Sequence, residues 1–159
     1  MITRSSNLAT NILIGHVPAD SVMRTHQRIN ATGMRVLRGV EDGPAFRAGL
    51  SNTTTADAFA TTLEAIARCV VNRPEHCAEM MDILAMQEFD DGIPAGLPPG
   101  TRVAHKTGWI NGVLHDAALV YPAGHPPYVL VVLTKGLPDR AVARQLIADL
   151  SRIIWDNYR

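Results

Sequence analysis

The spacing of apolar residues changes once along the chain, and this change limits the folds that the sequence can adopt. Up to residue 88, apart from a segment over residues 33–54, apolar side chains recur at steps of three and four, as in Phe59, Leu63 and Ile66, which is the period of an amphipathic helix. From residue 102 to 134, short apolar and alternating runs are typical of strands. Helices followed by strands and a last helix predict an α+β fold.

Turn-forming residues divide the two regions into predicted elements. Helices are predicted within residues 2–14, over about 18–31, after Thr54 or Thr55, and from Pro74, while residues 33–54 form a long irregular loop. Strands over 102–107, 114–121 and 128–134 form an antiparallel meander, followed by a helix from Pro138. One predicted helix has a single apolar face formed by Phe59, Leu63, Ile66, Ala67 and Val70. The last helix is predicted to turn inward Val142, Leu146, Ile147, Leu150, Ile153 and Ile154.

Composition restricts the classes of function. The 159 residues are 47% hydrophobic and 19% charged, which is typical of one globular domain rather than a disordered chain. Fifteen basic residues balance fifteen acidic ones, so no overall field favours nucleic acid or an anionic membrane. The longest apolar runs, such as residues 128–133, are too short to span a bilayer. Residues 1–14 lack the pattern of a secretory signal, and the localisation of the protein stays open.

Three short polar segments could carry chemistry. Lys106, Thr107 and Gly108 end the first predicted strand, where a cation, a hydroxyl and an open backbone can bind a carboxylate; the alternative is a polar turn. The segment of residues 5–7 precedes a helix, and its alternative role is to cap that helix. Glu41 lies in the long loop, where its carboxylate could act as a base or be solvated.

Together these segments resemble the superfamily of class A β-lactamases and penicillin-binding proteins, which is described by Ser-x-x-Lys, Ser-Asp-Asn and Lys-Thr-Gly motifs. Residues 1–13 resemble the helix of the Ser-Asp-Asn motif, with Ser6 in place of Asp. Residues 39–55 resemble the omega loop and the start of the helix after it. The segment from Lys106 resembles the third strand onward, so the similarity covers nearly the whole chain.

The resemblance implies a role for each polar residue. Ser5 would relay a proton to the leaving nitrogen, and Asn7 would hold the side-chain amide of the substrate. Lys106 and Thr107, with Gly108 beside them, would bind the substrate carboxylate. The backbone N–H of Trp109 would form half of the oxyanion hole. No metal or organic cofactor is implied.

A further implied role belongs to Glu41, as the base that removes the acyl group. The family pattern in this loop is Glu-x-x-Leu-Asn, whereas Pro44 and Ala45 stand here at the last two positions. If Glu41 is displaced, the resemblance implies acylation followed by slow deacylation, as in a penicillin-binding protein.

The main departure from the family is the missing nucleophile, since no serine in the chain has a lysine three residues later. The resemblance therefore implies an N-terminally incomplete domain over residues 1–159, with a helical part (1–88) that includes an omega-like loop (38–55), and a sheet with the C-terminal helix (100–159). We expect a hydrolase of β-lactams or related amides and esters that is inactive alone, and that a second chain could complete. The alternative is a non-catalytic module that retains the carboxylate-binding strand edge.

Histidine spacing gives little support for a metal site. His105, His115 and His125 fall on or near the predicted strands with Asp116, but they lack the closely paired ligands typical of structural zinc. We expect His115 and Asp116 to form a polar floor beside Lys106 instead.

The two cysteines leave the redox environment undecided. Cys69 and Cys77 flank the turn between two predicted helices, so a disulfide is geometrically possible. Two free thiols remain the alternative.

Overall fold

A computed structural model describes residues 1–158, in which one antiparallel sheet is covered by helices on both faces. The strands are β1 (Arg102–Ile110), β2 (Val113–Tyr121) and β3 (Tyr128–Lys135), in the order β1-β2-β3. The helices are α1 (Asn7–His16), α2 (Ala19–Arg28), α3 (Gly43–Arg47), α4 (Ala56–Ala67), α5 (Pro74–Ala85) and α6 (Arg140–Tyr158), with a 3₁₀ helix at Ile93–Gly96. The predicted α+β arrangement and the meander are confirmed.

Side-chain oxygens cap four of the described helices at their N-termini: α1, α3, α4 and α6. The Ser6 hydroxyl accepts a hydrogen bond from the Ala9 N–H and caps α1, and Thr55 caps α4 in the same way. Each cap satisfies a backbone donor that has no partner within the helix. The polar segments between the predicted helices therefore mark where helices begin.

Alternation along the strands produces two separate cores. Side chains of one sheet face pack against α4 and α5, and those of the other face pack against the 3₁₀ helix and α6, as expected from the two-residue period of a strand. The first core contains Leu63, Met81, Leu84, Ala104, Ala117 and Leu119. The second contains Ile93, Leu114, Ala118, Val120, Ala143 and Ile147.

The prediction for the last helix is wrong for most of its apolar residues. Of the six expected to be buried, only Ile147 is buried. The reason is close packing: a Cβ added at Gly96 would lie 2.1 Å from the backbone oxygen of Ala148, so only small residues fit where α6 meets the 3₁₀ helix. The larger side chains lie on the other face and are 37–55% exposed: Val142, Leu146, Leu150, Ile153 and Ile154.

Three further differences concern the long loop and the ends of β1 and α4. The long loop is not irregular throughout, because it contains α3, and an isolated bridge between Arg35 and Thr53 closes its ends. Strand β1 continues beyond residue 107 to Ile110, so the turn before β2 is shorter than expected. Val70 lies past the end of α4 and is exposed, so it is not part of the helix face predicted for it.

Strand β3 lies at an edge of the described sheet, where it pairs with β2 alone. Its side chains between residues 129 and 133 are half-buried and contact both cores. None of the helices within residues 1–158 has the length and apolar character that a membrane span requires.

Candidate active site

Two residues far apart in sequence meet where α1 approaches β1. The Lys106 ammonium donates a hydrogen bond of 2.7 Å to the Ser5 hydroxyl, across a separation of 101 residues. A second hydrogen bond goes from the same nitrogen to the Thr107 backbone oxygen. The structure thus brings together the polar segment at residues 5–7 and the polar segment at residues 106–108.

Lys106 is half-buried, and its surroundings change its acidity. Burial lowers the pKa of Lys106 below its usual value, because a charged ammonium loses hydration, and Asp116 partly offsets this by raising the pKa. The lysine is therefore a charged donor that can lose its proton more readily than an exposed one.

Ser5 and Ser6 have different roles despite being adjacent. Ser6 caps α1, so the capping interpretation of this segment holds for Ser6 and not for Ser5. Ser5 has a φ of 51°, in the left-handed region that non-glycine residues rarely adopt. Such strain is concentrated at functional sites, and here it turns the Ser5 hydroxyl toward Lys106.

An open cavity of about 660 Å³ lies beside this contact. Ser5, Asn7, Glu41 and Trp109 line it, so four of the seven predicted site residues share one space. The other contributors surround the opening: Arg4, Arg38, Val40, Gly43, Phe46, Asn52, Phe89, Ile110 and Asn111.

The end of β1 also borders the site. Thr107 and Gly108 line a smaller neighbouring cavity of about 20 Å³, which also includes Trp109. A Cβ at Gly108 would meet nothing within 4 Å, so this part of the strand is open to a ligand. Trp109 is 53% exposed, and the Arg140 guanidinium lies 3.4 Å from its ring centre.

Val40, in the loop beside the cavity, is held by two hydrogen bonds to one side chain. The Asn11 side chain accepts a hydrogen bond from the Val40 N–H at 2.8 Å and donates one to the Val40 carbonyl at 2.9 Å. Glu41, the next residue, is exposed and has a left-handed φ of 60°. Within residues 1–158, no hydrogen bond or ion pair holds its carboxylate.

Sequence reasoning missed the residues that shape this loop. Asn52 accepts hydrogen bonds from the backbone N–H groups of Leu37 and Arg38, and Arg38 bonds the carbonyl of Leu50. These contacts close the loop on itself beside the cavity. The signal available in sequence was only a pair of polar residues at the two ends of a glycine-rich segment.

A buried pair of ionisable residues lies beneath the end of β1. His105 Nδ1 is 3.0 Å from one carboxylate oxygen of Asp116, and the other oxygen accepts a hydrogen bond from the Ile93 N–H at 2.8 Å. Both residues of the predicted polar floor, His115 and Asp116, line the small cavity beside Thr107 and Gly108, and His115 Nδ1 also accepts a hydrogen bond from the Thr134 N–H on β3.

The described residues contain no group of three or more His, Cys, Asp or Glu side chains that could hold a metal ion. The two cysteines form a disulfide, Cys69–Cys77, between the end of α4 and the start of α5. The possibility raised by their spacing is thus realised, and no free thiol is present.

Comparison with known proteins agrees with this arrangement. A family model described as the beta-lactamase enzyme family matches residues 1–158. The chain belongs to this beta-lactamase family. Among curated relatives, Beta-lactamase Toho-2 of Escherichia coli is 30% identical over 94% of this chain and 53% of its own length. Beta-lactamase 3 of Bacillus cereus is 31% identical over 68% of this chain and 35% of its own length.

Two solved structures share the same fold. The structure of PBP-A has a TM-score of 0.89 and 27% identity, covering 99% of this chain and 58% of that one. A beta-lactamase from Sphaerobacter thermophilus has a TM-score of 0.88 and 28% identity, covering 97% and 59%. The chain therefore spans about half or less of the curated relatives and about three fifths of these solved structures.

Proposed function

We propose that this chain carries the substrate-binding and proton-transfer part of a serine hydrolase site, acting on β-lactams or related amides and esters through an acyl-enzyme. The contact between the Lys106 ammonium and the Ser5 hydroxyl supports this most directly. It places a proton relay beside a cation, next to a cavity large enough for a drug-sized ligand. Acyl transfer needs both a route for protons and stabilisation of negative charge.

Each residue takes a specific role in this proposal. Lys106 and Thr107 bind the substrate carboxylate at the open end of β1, and Gly108 leaves room for it. Ser5 passes a proton to the leaving nitrogen. Asn7, at the cavity wall, holds the side-chain amide of the substrate, and the Trp109 N–H donates to the developing oxyanion.

The nucleophile, in this proposal, comes from a segment outside residues 1–159, in the same polypeptide or in a second one. No serine here precedes a lysine by three residues, so the described chain is expected to be inactive alone. The exposed apolar face of α6 and the edge strand β3 could receive such a segment, because both bury more apolar surface when covered.

Deacylation is the step that this site supports least. Glu41 as the base would need a fixed carboxylate, whereas its side chain is exposed and has no partner among the described residues. The loop position that hydrogen bonds to Asn11 fix beside the cavity is occupied by Val40, not by Glu41. We therefore favour an assembled protein that is acylated by penicillins and releases the acyl group slowly.

Reconstitution with a fluorescent penicillin tests the proposal. The chain would be co-expressed with the part of Toho-2 that lies outside the 53% of its length matched by this chain, and covalent label would be measured after denaturing electrophoresis. We expect labelling only in the pair, with the label on the Toho-2 segment. A chromogenic cephalosporin reports turnover in the same samples.

Ser5→Ala and Ser6→Ala form a matched pair for this assay. Ser5→Ala removes the relay and should slow labelling by about 100-fold. Ser6→Ala removes a helix cap, which costs about 1 kcal/mol of stability and leaves the labelling rate of the folded protein unchanged. Equal rates for both variants, or turnover by the chain alone, would contradict the proposal. Binding of penicillin without covalent label in a folded pair would instead support the non-catalytic module.

A further inference from the structure

The exposed Phe and Trp side chains of the chain are gathered in one place. Within residues 1–158 they are Phe46, Phe89 and Trp109, and all three line the cavity of about 660 Å³ beside Ser5. Single exposed apolar residues are ordinary, whereas a cluster of them marks a place where a ligand or partner binds. The cavity therefore has an apolar wall that neither the proton relay nor the carboxylate contacts use.

These three residues, the aromatic wall, come from three separate parts of the fold. Phe46 lies in α3, Phe89 follows α5, and Trp109 lies near the end of β1. None of them belongs to either hydrophobic core. Their exposure is therefore not the outer margin of a core, and the fold brings them together at the cavity alone.

Trp109 is held from outside the cavity. The guanidinium of Arg140, the first residue of α6, lies 3.4 Å from the centre of the indole ring. Arg140 lines a separate cavity of about 160 Å³ and does not line the large one. A cation over a ring face is attracted to it electrostatically. One face of the indole is thus fixed by Arg140, while 53% of the residue stays exposed for another contact.

Phe46 has a similar support. The Arg38 guanidinium lies 5.4 Å from the centre of its ring, and Arg38 itself donates hydrogen bonds to the carbonyls of Leu50 and Gly39 at 2.8 and 2.9 Å. Aromatic side chains have few rotatable bonds, and rings that are already held lose little entropy when a ligand binds. The wall is therefore suited to binding before any ligand is present.

The polar group beside the wall has an unused capacity for hydrogen bonds. Asn7 lines the same cavity, and its side chain makes no hydrogen bond within residues 1–158. A side-chain amide offers both a donor and an acceptor, which matches the amide of an acylated amine. The cavity therefore places an amide partner between an aromatic wall and the cation Lys106.

We propose that the aromatic wall, with Trp109 positioned by Arg140, determines specificity for substrates whose acyl side chain ends in an aromatic ring. The inference rests on the proposed function and deepens it by naming the substrate class. The aryl group contacts the wall, Asn7 holds the amide, and Lys106 binds the carboxylate. Aromatic pairs gain more than their buried area alone provides, so an aryl group is favoured over a saturated ring of similar size.

Three small ligands test this preference on the chain itself. Phenylacetylglycine carries an aryl group, an amide and a carboxylate; cyclohexylacetylglycine has a saturated ring, and acetylglycine has none. In uniformly ¹⁵N-labelled protein the two tryptophans give two indole N–H signals in NMR, and Trp155 is the internal reference. We expect phenylacetylglycine to shift the Trp109 signal and not that of Trp155, and to bind about fivefold more tightly than cyclohexylacetylglycine. Acetylglycine should bind most weakly.

Substitutions assign the preference to the wall. Trp109→Leu removes the indole and retains the backbone N–H, so the backbone amide shifts should report equal affinities for the two ring-bearing ligands. Arg140→Gln should reduce the preference about twofold, whereas Arg152→Gln, on the same helix but outside the cavity, should not change it. Both affinities are measured on one folded sample, so their ratio does not depend on stability. Equal affinities in the unmodified chain, an unchanged preference in Trp109→Leu, or equal shifts at Trp155 would overturn the proposal.

The same ligands separate this inference from the proposed function. The titrations need no nucleophile, so they remain readable if the reconstituted pair fails to react with penicillin. If the pair does react, benzylpenicillin should compete with the fluorescent label better than 6-aminopenicillanic acid, which lacks an acyl side chain, and Trp109→Leu should narrow that difference. A pair that is labelled but does not prefer phenylacetylglycine would show that the added segment covers the wall, and would overturn this inference alone.

Discussion

Opening the Cys69–Cys77 disulfide should destabilise the chain by an amount that follows from the size of the loop it closes. The two cysteines are eight positions apart, and their Cα atoms lie 5.5 Å apart. For a loop of this size, the entropy that the cross-link removes from the unfolded chain is worth about 2.5 kcal/mol at 25 °C. Because α4 and α5 both pack on the first core, we expect the loss to appear in global unfolding.

Urea unfolding followed by circular dichroism, with and without a reductant, measures this effect. A loss of 2.5 kcal/mol should lower the midpoint by roughly 1–2 M urea. Cys69→Ala should match the reduced protein and should not respond to reductant. Buried Cys77 is left in place in this variant, so no cavity is created.

A second substitution separates the cross-link from backbone strain. Cys69 has a left-handed φ of 53°, which an alanine tolerates poorly and a glycine adopts freely. Cys69→Gly should therefore be about 1 kcal/mol more stable than Cys69→Ala. A loss below about 1 kcal/mol on reduction, or a strong response of Cys69→Ala to reductant, would refute the loop-entropy reasoning.

Three further predictions concern the core, the lysine and the loop. Ile147→Ala should lose about 2–5 kcal/mol in urea unfolding, whereas Ile153→Ala on the exposed face should change stability by less than about 0.5 kcal/mol. The pKa of Lys106 is lowered in the folded state, so the unfolded chain binds the Lys106 proton more tightly. The free energy of unfolding should therefore rise with pH between the lowered pKa and 10.5, which thermal melts at a series of pH values would measure. In the reconstituted pair, Val40→Glu should shorten the lifetime of the penicillin label by about 100-fold or more, and Val40→Gln should not.

Local signals in the sequence predicted the elements well. Thr55 and Pro74 mark the starts of α4 and α5, because a side-chain cap and a residue without a backbone N–H both satisfy the needs of a first helical turn. The alternating strands of the meander followed from the same kind of local reasoning. These features depend on residues a few positions apart, which a sequence displays directly.

Apolar periodicity alone gave a wrong prediction of which α6 residues are buried. Its large residues at helical spacing were expected to face the sheet, but Gly96 brings the 3₁₀ helix so close that only Ala148 and Ser151 fit between the backbones. Periodicity identifies that a helix has an apolar face. It does not tell which neighbour that face meets, or whether smaller residues bury the opposite side.

Candidate site residues could be named from short segments and their resemblance to a known family, and four of these candidates, Ser5, Asn7, Glu41 and Trp109, line one cavity. The different roles of Ser5 and Ser6 could not be read from the sequence, because they depend on the φ angle of Ser5. Nor could the pairing of Asp116 with His105 and the Ile93 N–H, which depends on contacts between β1, β2 and the 3₁₀ helix. Residue type and spacing specify which groups are available, whereas their charge, partners and direction arise from contacts between segments that are distant along the chain.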